Sequence, residues 1–257
     1  MSQHNDPYII GSGARKVICL NGWFGHAQGW GPLIEELDRD QFTYAFMDYR
    51  GYGNRLNANG PFSLEQISRD VQALANQLGW HAFALVGHSM GGSAMQYVVA
   101  DAPERVQCMV GIAPVAASGV PFDDKGWALF HSAADDPKAR RTILSVLSAG
   151  SQQDEWLDNT VASSVERSRP EAVADYLEAW AKTDFSERIK GKPTPTLVIV
   201  GEQDPSITEA VCQKTWMQHY PNAQLKVIKN ASHFPMDDTP HELAQAIEGF
   251  LSQHMPR

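Results

Sequence analysis

The sequence contains no basic run, no apolar stretch approaching the roughly 20 residues of a membrane span, no C-x-x-C pair and no H-E-x-x-H motif. Each absence removes a class of function. With 21 Lys and Arg against 30 Asp and Glu, the net charge of −9 and pI near 5.4 repel phosphate backbones, so nucleic acid is not an expected partner. The missing apolar run excludes a spanning helix. The segment Met1-Ser2-Gln3-His4-Asn5-Asp6-Pro7 lacks a basic start followed by an apolar core, which reads as a soluble, unexported protein of the cytoplasm. Cysteine is scarce: of Cys19, Cys108 and Cys212, two lie in apolar strand-like runs, where a thiol acts as a small hydrophobe. A reducing compartment fits. His241-Glu242 has no second histidine at helical spacing, so no metal site is expected. Internal repeats and low-complexity tracts are also missing.

What is there is a core. At 257 residues with 43% hydrophobic content, the chain is long enough for one α/β domain with an insertion. Apolar runs at Lys16 to Leu20, Thr43 to Asp48, Ala82 to Val86, Val106 to Ile112, Leu197 to Val200 and Leu225 to Ile228 read as strands, with a short edge strand at Tyr8-Ile9-Ile10. Residues 1–15 are otherwise polar and turn-rich. Ser63-Leu64-Glu65-Gln66 is a capping box, and Leu64, Ile67, Val71, Leu74 and Leu78 keep one helical face until Gly79. Thr239-Pro240-His241-Glu242 carries the same signals for a final helix with Leu243, Ile247, Phe250 and Leu251 inward. Strands alternating with helices imply a mainly parallel central sheet with helices on both faces. The pattern breaks between Val115 and Pro193, where amphipathic helical pieces carry Trp127, Phe130, Trp156, Tyr176, Trp180 and Phe185. The expected division is a core of residues 1–115 and 194–257 with a helical insertion over 116–193. The insertion reads as a cap over a site, with an ordinary surface insertion or a homodimer contact as the alternative.

The stretch Leu85-Val86-Gly87-His88-Ser89-Met90-Gly91-Gly92 organises the rest. It is not G-x-G-x-x-G, and no Lys-Ser or Lys-Thr follows its glycines, so neither dinucleotide nor phosphate-loop binding is expected. A strand feeding G-x-S-x-G and then a helix is the context of a nucleophile elbow, in which a serine sits on a strained turn and Cβ atoms two positions either side would collide with neighbouring elements. With this motif, with Asp48-Tyr49-Arg50-Gly51-Tyr52-Gly53 and with the segments below, the chain resembles the α/β-hydrolase superfamily, in its lipase and esterase-like branch with an inserted cap. The resemblance covers nearly the whole chain.

That resemblance implies a nucleophile, an acid and a histidine in that chain order, with no cofactor required. Ser89 is the candidate nucleophile. His233, in Asn230-Ala231-Ser232-His233-Phe234-Pro235, is the histidine that follows the last strand and is the candidate base; His26 and His88 are lesser competitors. For the acid, Gly201-Glu202-Gln203-Asp204-Pro205 offers two carboxylates, and the family's motif, which places the acid later in the turn, favours Asp204 over Glu202. The loop Asn21-Gly22-Trp23 departs from the family's His-Gly-x by its asparagine. The main-chain N–H groups of Trp23 and Met90 are the implied oxyanion donors, and Asn21 can still hydrogen-bond to fix the loop. Asp48 and Arg50 are expected to shape a loop rather than catalyse. Phe24, Trp127, Phe234 and Met236 are the candidate walls of an apolar substrate pocket.

The expected function is a serine hydrolase that cleaves carboxylic esters of small to medium apolar substrates through an acyl-enzyme on Ser89. A serine nucleophile argues against the aspartate-dependent haloalkane and epoxide branches. Two rivals use the same fold: a carbon–carbon bond hydrolase or lactonase of aromatic catabolism, and a ligand-binding protein with little turnover.

Overall fold

Strands whose residues are apolar on both sides cannot leave either sheet face in water, so helices must cover both. In the computed structural model, which describes residues 6–256, that is the architecture. The reading of residues 1–5 as polar and turn-rich lies outside the described residues. The chain begins with β1 (Tyr8–Ile10), β2 (Arg15–Leu20), a short α1 (Leu33–Glu36) and β3 (Phe42–Met47). It continues through α2 (Leu64–Gln77), β4 (Phe83–His88), α3 (Met90–Asp101) and β5 (Val106–Ile112). Next come α4 (Asp124–Ser132), α5 (Pro137–Leu147), α6 (Asp154–Glu166), α7 (Pro170–Lys182) and α8 (Ser186–Ile189). The core resumes with β6 (Thr196–Gly201), α9 (Glu209–Lys214), α10 (Trp216–His219), β7 (Ala223–Ile228), α11 (Pro235–Asp238) and α12 (Pro240–His254).

The seven strands form one sheet in the order β1-β3-β2-β4-β5-β6-β7. Every pairing is parallel except that of β1, which runs antiparallel along β3 at the edge. Alternation within each strand divides the apolar interior in two. Ile18, Leu20 and Leu85 join the cluster with Val71, Val98 and Tyr176, while Val17, Cys19 and Val86 join the other with Leu243, Ile247 and Phe250. All three cysteines are buried and free. No helix among the described residues is long and apolar enough to cross a membrane.

Local signals mostly act where they were read. Ser63 Oγ accepts a hydrogen bond from Gln66 N at 3.2 Å and opens α2, whose Leu64, Ile67, Val71 and Leu74 are buried. The expected cap of α12 is different. Thr239 Oγ1 donates to Pro235 O at 3.5 Å instead of capping, and Glu242 extends toward Lys226 at 3.9 Å. The hydroxyl is turned back toward a carbonyl of the preceding short α11 rather than toward the first N–H groups of α12.

The five helices α4 to α8 run between β5 and β6, so the insertion emerges at the strand ends that also deliver Ser89 and Asp204. Four contacts clasp it to the segment after β7. His233 N donates to Leu147 O at 3.2 Å, Ser151 Oγ to Ser232 Oγ at 3.4 Å, Gln152 Nε2 to Asp238 Oδ1 at 2.7 Å and Trp156 Nε1 to Asp237 Oδ1 at 3.2 Å.

Candidate active site

Ser89 sits between the end of β4 and the start of α3 with φ 52° and ψ −116°, a strained conformation for a residue with a side chain. Its main chain is held from three directions: Ser89 N donates to Ile112 O at 3.0 Å, and Ser89 O accepts from Gly92 N at 2.8 Å and Val115 N at 3.0 Å. The flanking glycines make the turn spatially feasible. A Cβ at Gly87 would lie 2.4 Å from Gly91 O, and one at Gly91 would lie 2.1 Å from Leu20 O, so helix and strand approach too closely for any side chain.

Asp204 and His233 come from different strand ends and meet because their loops touch. Gln203 N donates to Ala231 O at 2.8 Å, and a Cβ on Gly201 would lie 2.1 Å from Ser232 O. His233 Nδ1 lies 2.7 Å from Asp204 Oδ2, and both residues are buried. The other carboxylate oxygen accepts from Ser206 N at 2.8 Å and Ile207 N at 3.0 Å. Burial pushes the Asp204 carboxyl upward, but the neighbouring His233 and these two N–H donors outweigh it and hold the group below its ordinary value. Glu202 is exposed, and its carboxylate receives Asn230 N at 3.3 Å. Asp204 thus faces the imidazole, whereas Glu202 faces solvent.

His88, one position before the serine, is turned the other way. Its Nε2 is 2.9 Å from His233 O, and because a carbonyl only accepts, Nε2 carries the proton. Burial, reinforced by the adjacent His233, pushes its pKa down to about 3, so it is a neutral donor that props the His233 main chain. His26 lies on the cavity wall with Nε2 3.2 Å from Ser163 Oγ, and burial together with Arg167 lowers its pKa.

The loop after β2 presents Trp23 beside the serine. Neither Trp23 N nor Met90 N has a hydrogen-bond acceptor among the described residues. Asn21 Nδ2 donates to Gly22 O at 3.0 Å and Gly25 O at 2.9 Å, closing the loop as its amide allows. Two hydroxyls the sequence did not single out complete the support: Tyr49 Oη donates to Asn21 O and Tyr52 Oη to Trp23 O, each at 2.8 Å. Asp48 accepts from Ala27 N at 2.7 Å and Asn54 N at 2.9 Å. Arg50 and Arg55 both bind Asp70 of α2, at 2.9 and 2.8 Å. Burial would raise the Asp70 carboxyl, but the hydrogen bonds from Arg50 and Arg55 outweigh it and leave it lowered.

This arrangement makes Asp70→Ala costly. It strands the buried Arg55 guanidinium, and urea unfolding is expected to show a loss of about 3 kcal/mol. Because the folded-state carboxyl is depressed, the wild-type contribution is present above the ordinary carboxylate range and fades as pH falls through the lowered value. A wild-type and variant difference that stayed constant down to the acid transition would contradict this.

Ser89, His233, Trp23, Phe24, Phe234 and Met236 all border one cavity of about 410 Å³. Trp127 does not reach it. Lys182 Nζ lies 3.6 Å from the centre of its ring, and Phe122, 6.2 Å away, stands at the cavity wall in its place. Phe122, Phe130, Trp156 and Trp180 also line the cavity, aromatics to which the sequence assigned no pocket role; Phe130 stacks on Trp23 at 5.7 Å and lies tilted against Phe122 at 4.5 Å. Among the described residues, no group of three or more His, Cys, Asp or Glu is placed to hold a metal ion.

A family model described as the alpha/beta hydrolase fold matches residues 16–240. The chain belongs to that family. The chain is 25% identical over 243 residues to a pimeloyl-[acyl-carrier protein] methyl ester esterase of Nitrosomonas europaea, covering 90% of this chain and 94% of that one. It is 26% identical over 250 residues to 3-oxoadipate enol-lactonase 2 of Acinetobacter baylyi, covering 95% and 91%. In fold it is similar to a bromoperoxidase from Bacillus anthracis, with a TM-score of 0.86, 21% identity and coverage of 95% and 94%. This is an esterase-type hydrolase family built on a mostly parallel sheet.

Proposed function

We propose that this hydrolase cleaves carboxylic esters through an acyl-enzyme on Ser89, with His233 as base and Asp204 as its orienting acid. The observation that carries the reading is the buried 2.7 Å contact between His233 Nδ1 and Asp204. An imidazole whose Nδ1–H donates to a carboxylate has its lone pair on Nε2, the form that can take a proton from a hydroxyl. Ser89 Oγ attacks the acyl carbonyl as its proton passes to Nε2, and the oxyanion rests on Trp23 N–H and Met90 N–H. Collapse expels the alcohol, which takes the proton from His233. Water, deprotonated by the same imidazole, then attacks the acyl-enzyme and releases the carboxylic acid with Ser89 restored. The insertion serves as a cap, since Phe122 before α4 and Phe130, Leu147 and Trp180 on its helices border the cavity.

The cavity volume suits small to medium substrates, and its aromatic wall beside Trp23 suits an apolar acyl chain. A lactone is a second substrate class supported by the enol-lactonase relative. The test is a panel of 4-nitrophenyl esters of increasing acyl length, run beside lactones and vinylogous diketones. Turnover highest on the esters is the expected result. Preference for the diketones would assign carbon–carbon cleavage instead, and a single stoichiometric burst would assign a binding protein.

A further inference from the structure

The cavity beside Ser89 has two unlike walls. Next to the oxyanion loop, Phe130 stacks on Trp23 and Trp180 meets it edge-on, with Phe122 packed against both Phe130 and Trp180. On the His233 side the wall turns polar and acidic. Phe234 packs against the His233 ring at 5.4 Å, Trp156 packs edge-on to Phe234 at 5.1 Å, and the Trp156 indole N–H donates to Asp237 Oδ1. Among the described residues, Asp237 is the only Asp or Glu lining the cavity, and no Lys or Arg lines it.

Asp237 has no structural partner equal to its charge. The neighbouring Asp238 is fully engaged, receiving Ser232 N, Ser232 Oγ and Gln152 Nε2. Asp237 has the single indole contact, and its Oδ2 has no hydrogen-bond donor among the described residues. It packs over Gly31, where a Cβ would lie 2.5 Å from Oδ1. Asp237 and Trp156 also face a second, open groove that carries Glu155 and Asp238 and, among the described residues, again no Lys or Arg. Burial, opposed by the Trp156 hydrogen bond and aided by Asp238, raises the Asp237 carboxyl to about 6, so it is charged in mildly alkaline solution.

We propose that Asp237, with the rings of Trp156 and Phe234, forms a leaving-group subsite for an alcohol that carries an alkylammonium group. The assignment rests on the ester-hydrolase reading above, because it takes its direction from the proton that His233 must hand to the departing alcohol. That alcohol lies beside the imidazole, and Phe234 leads from the imidazole to Asp237. A carboxylate with an open oxygen beside two aromatic rings is a site for a cation, attracted by the charge and by the ring faces. An anionic alcohol would meet the same carboxylate and the acidic groove as repulsion.

The experiment compares kcat/KM at pH 8 for butyrylcholine and its neutral isostere, 3,3-dimethylbutyl butyrate, at constant ionic strength. Wild type is expected to prefer the choline ester by about tenfold, the size of one ammonium held at a partly desolvated aromatic and charged site. Asp237→Asn keeps an acceptor for the Trp156 indole and removes the charge, so the ratio is expected to fall toward one; Asp237→Glu is expected to restore most of it. Equal kcat/KM in wild type, or a ratio unmoved in Asp237→Asn, overturns the subsite. A preference seen only when the ammonium is on the acyl chain of a phenyl ester overturns its placement on the leaving-group side. Calorimetric titration of choline chloride reads the subsite without turnover. If neither ester is hydrolysed but choline binds wild type and not Asp237→Asn, the ester-hydrolase reading fails and the cation site stands; if esters turn over and choline does not bind, the site fails alone.

Discussion

Replacing Ser89 by alanine is expected to lower kcat on a good ester by about 10⁵- to 10⁶-fold, the loss that follows when a hydroxyl nucleophile is removed from a three-residue unit. The fold is expected to survive. The three hydrogen bonds that hold residue 89 use its main chain, and alanine retains every one of them. The strained φ of 52° is imposed by those bonds and by the packing around Gly87 and Gly91 rather than by the hydroxyl. Thermal unfolding should therefore place the variant within about 1 kcal/mol of wild type, a surface-like effect for the loss of one oxygen. Acyl-enzyme should also disappear from the mass spectrum after rapid quenching. Turnover that persisted in folded Ser89→Ala protein would sink the nucleophile assignment.

Asp204→Asn should cost about 10⁴-fold in kcat, because the substitution reverses the hydrogen bond that orients the base. The asparagine carbonyl oxygen can still accept from Ser206 N and Ile207 N, which leaves its amide NH₂ facing His233 Nδ1. An N–H donor there needs a lone pair on Nδ1. The proton then sits on Nε2, where the imidazole cannot act as a base toward Ser89. Glu202→Gln is the control: Glu202 is exposed and touches Asn230 N, so its variant should stay within about twofold of wild type, as a surface change away from the reacting groups does. If the two variants lost activity equally, the choice of acid would be wrong.

The clasp between the insertion and the His233 loop links these effects to substrate access. His233 N–H is donated to Leu147 O at the end of α5, and Trp156 on α6 reaches Asp237. Movement of those helices would disturb the proposed base and the proposed cation subsite together. The proposed base and the proposed subsite therefore share one support.

Much of the local structure was legible one segment at a time. The capping hydroxyl of Ser63 and the small residues around Ser89 are local necessities, and the apolar runs carry their own period. That Trp127 does not border the cavity was not legible, for a different reason: an aromatic on an inserted helix has no sequence mark saying whether it faces the cavity or, as here, a lysine 55 residues later at the end of α7. Asp237 was passed over beside Asp238 because two adjacent acids look alike until one is seen bonded to Ser232 and the other open to a cavity. The hydroxyls of Tyr49 and Tyr52 reach acceptors 28 and 29 residues earlier in the chain, a distance no periodicity reports.

By itself the sequence determined the strand and helix order, the tight turn under Ser89, and the succession of hydroxyl, carboxylate and imidazole along the chain, since each depends on neighbours a few residues away. Only the tertiary structure decided that Asp204 rather than Glu202 meets His233, that Phe122 rather than Trp127 borders the cavity, and that Asp237 opens into it. Those outcomes depend on how loops from separate strands and inserted helices come together, and such convergence is settled by packing of the whole chain.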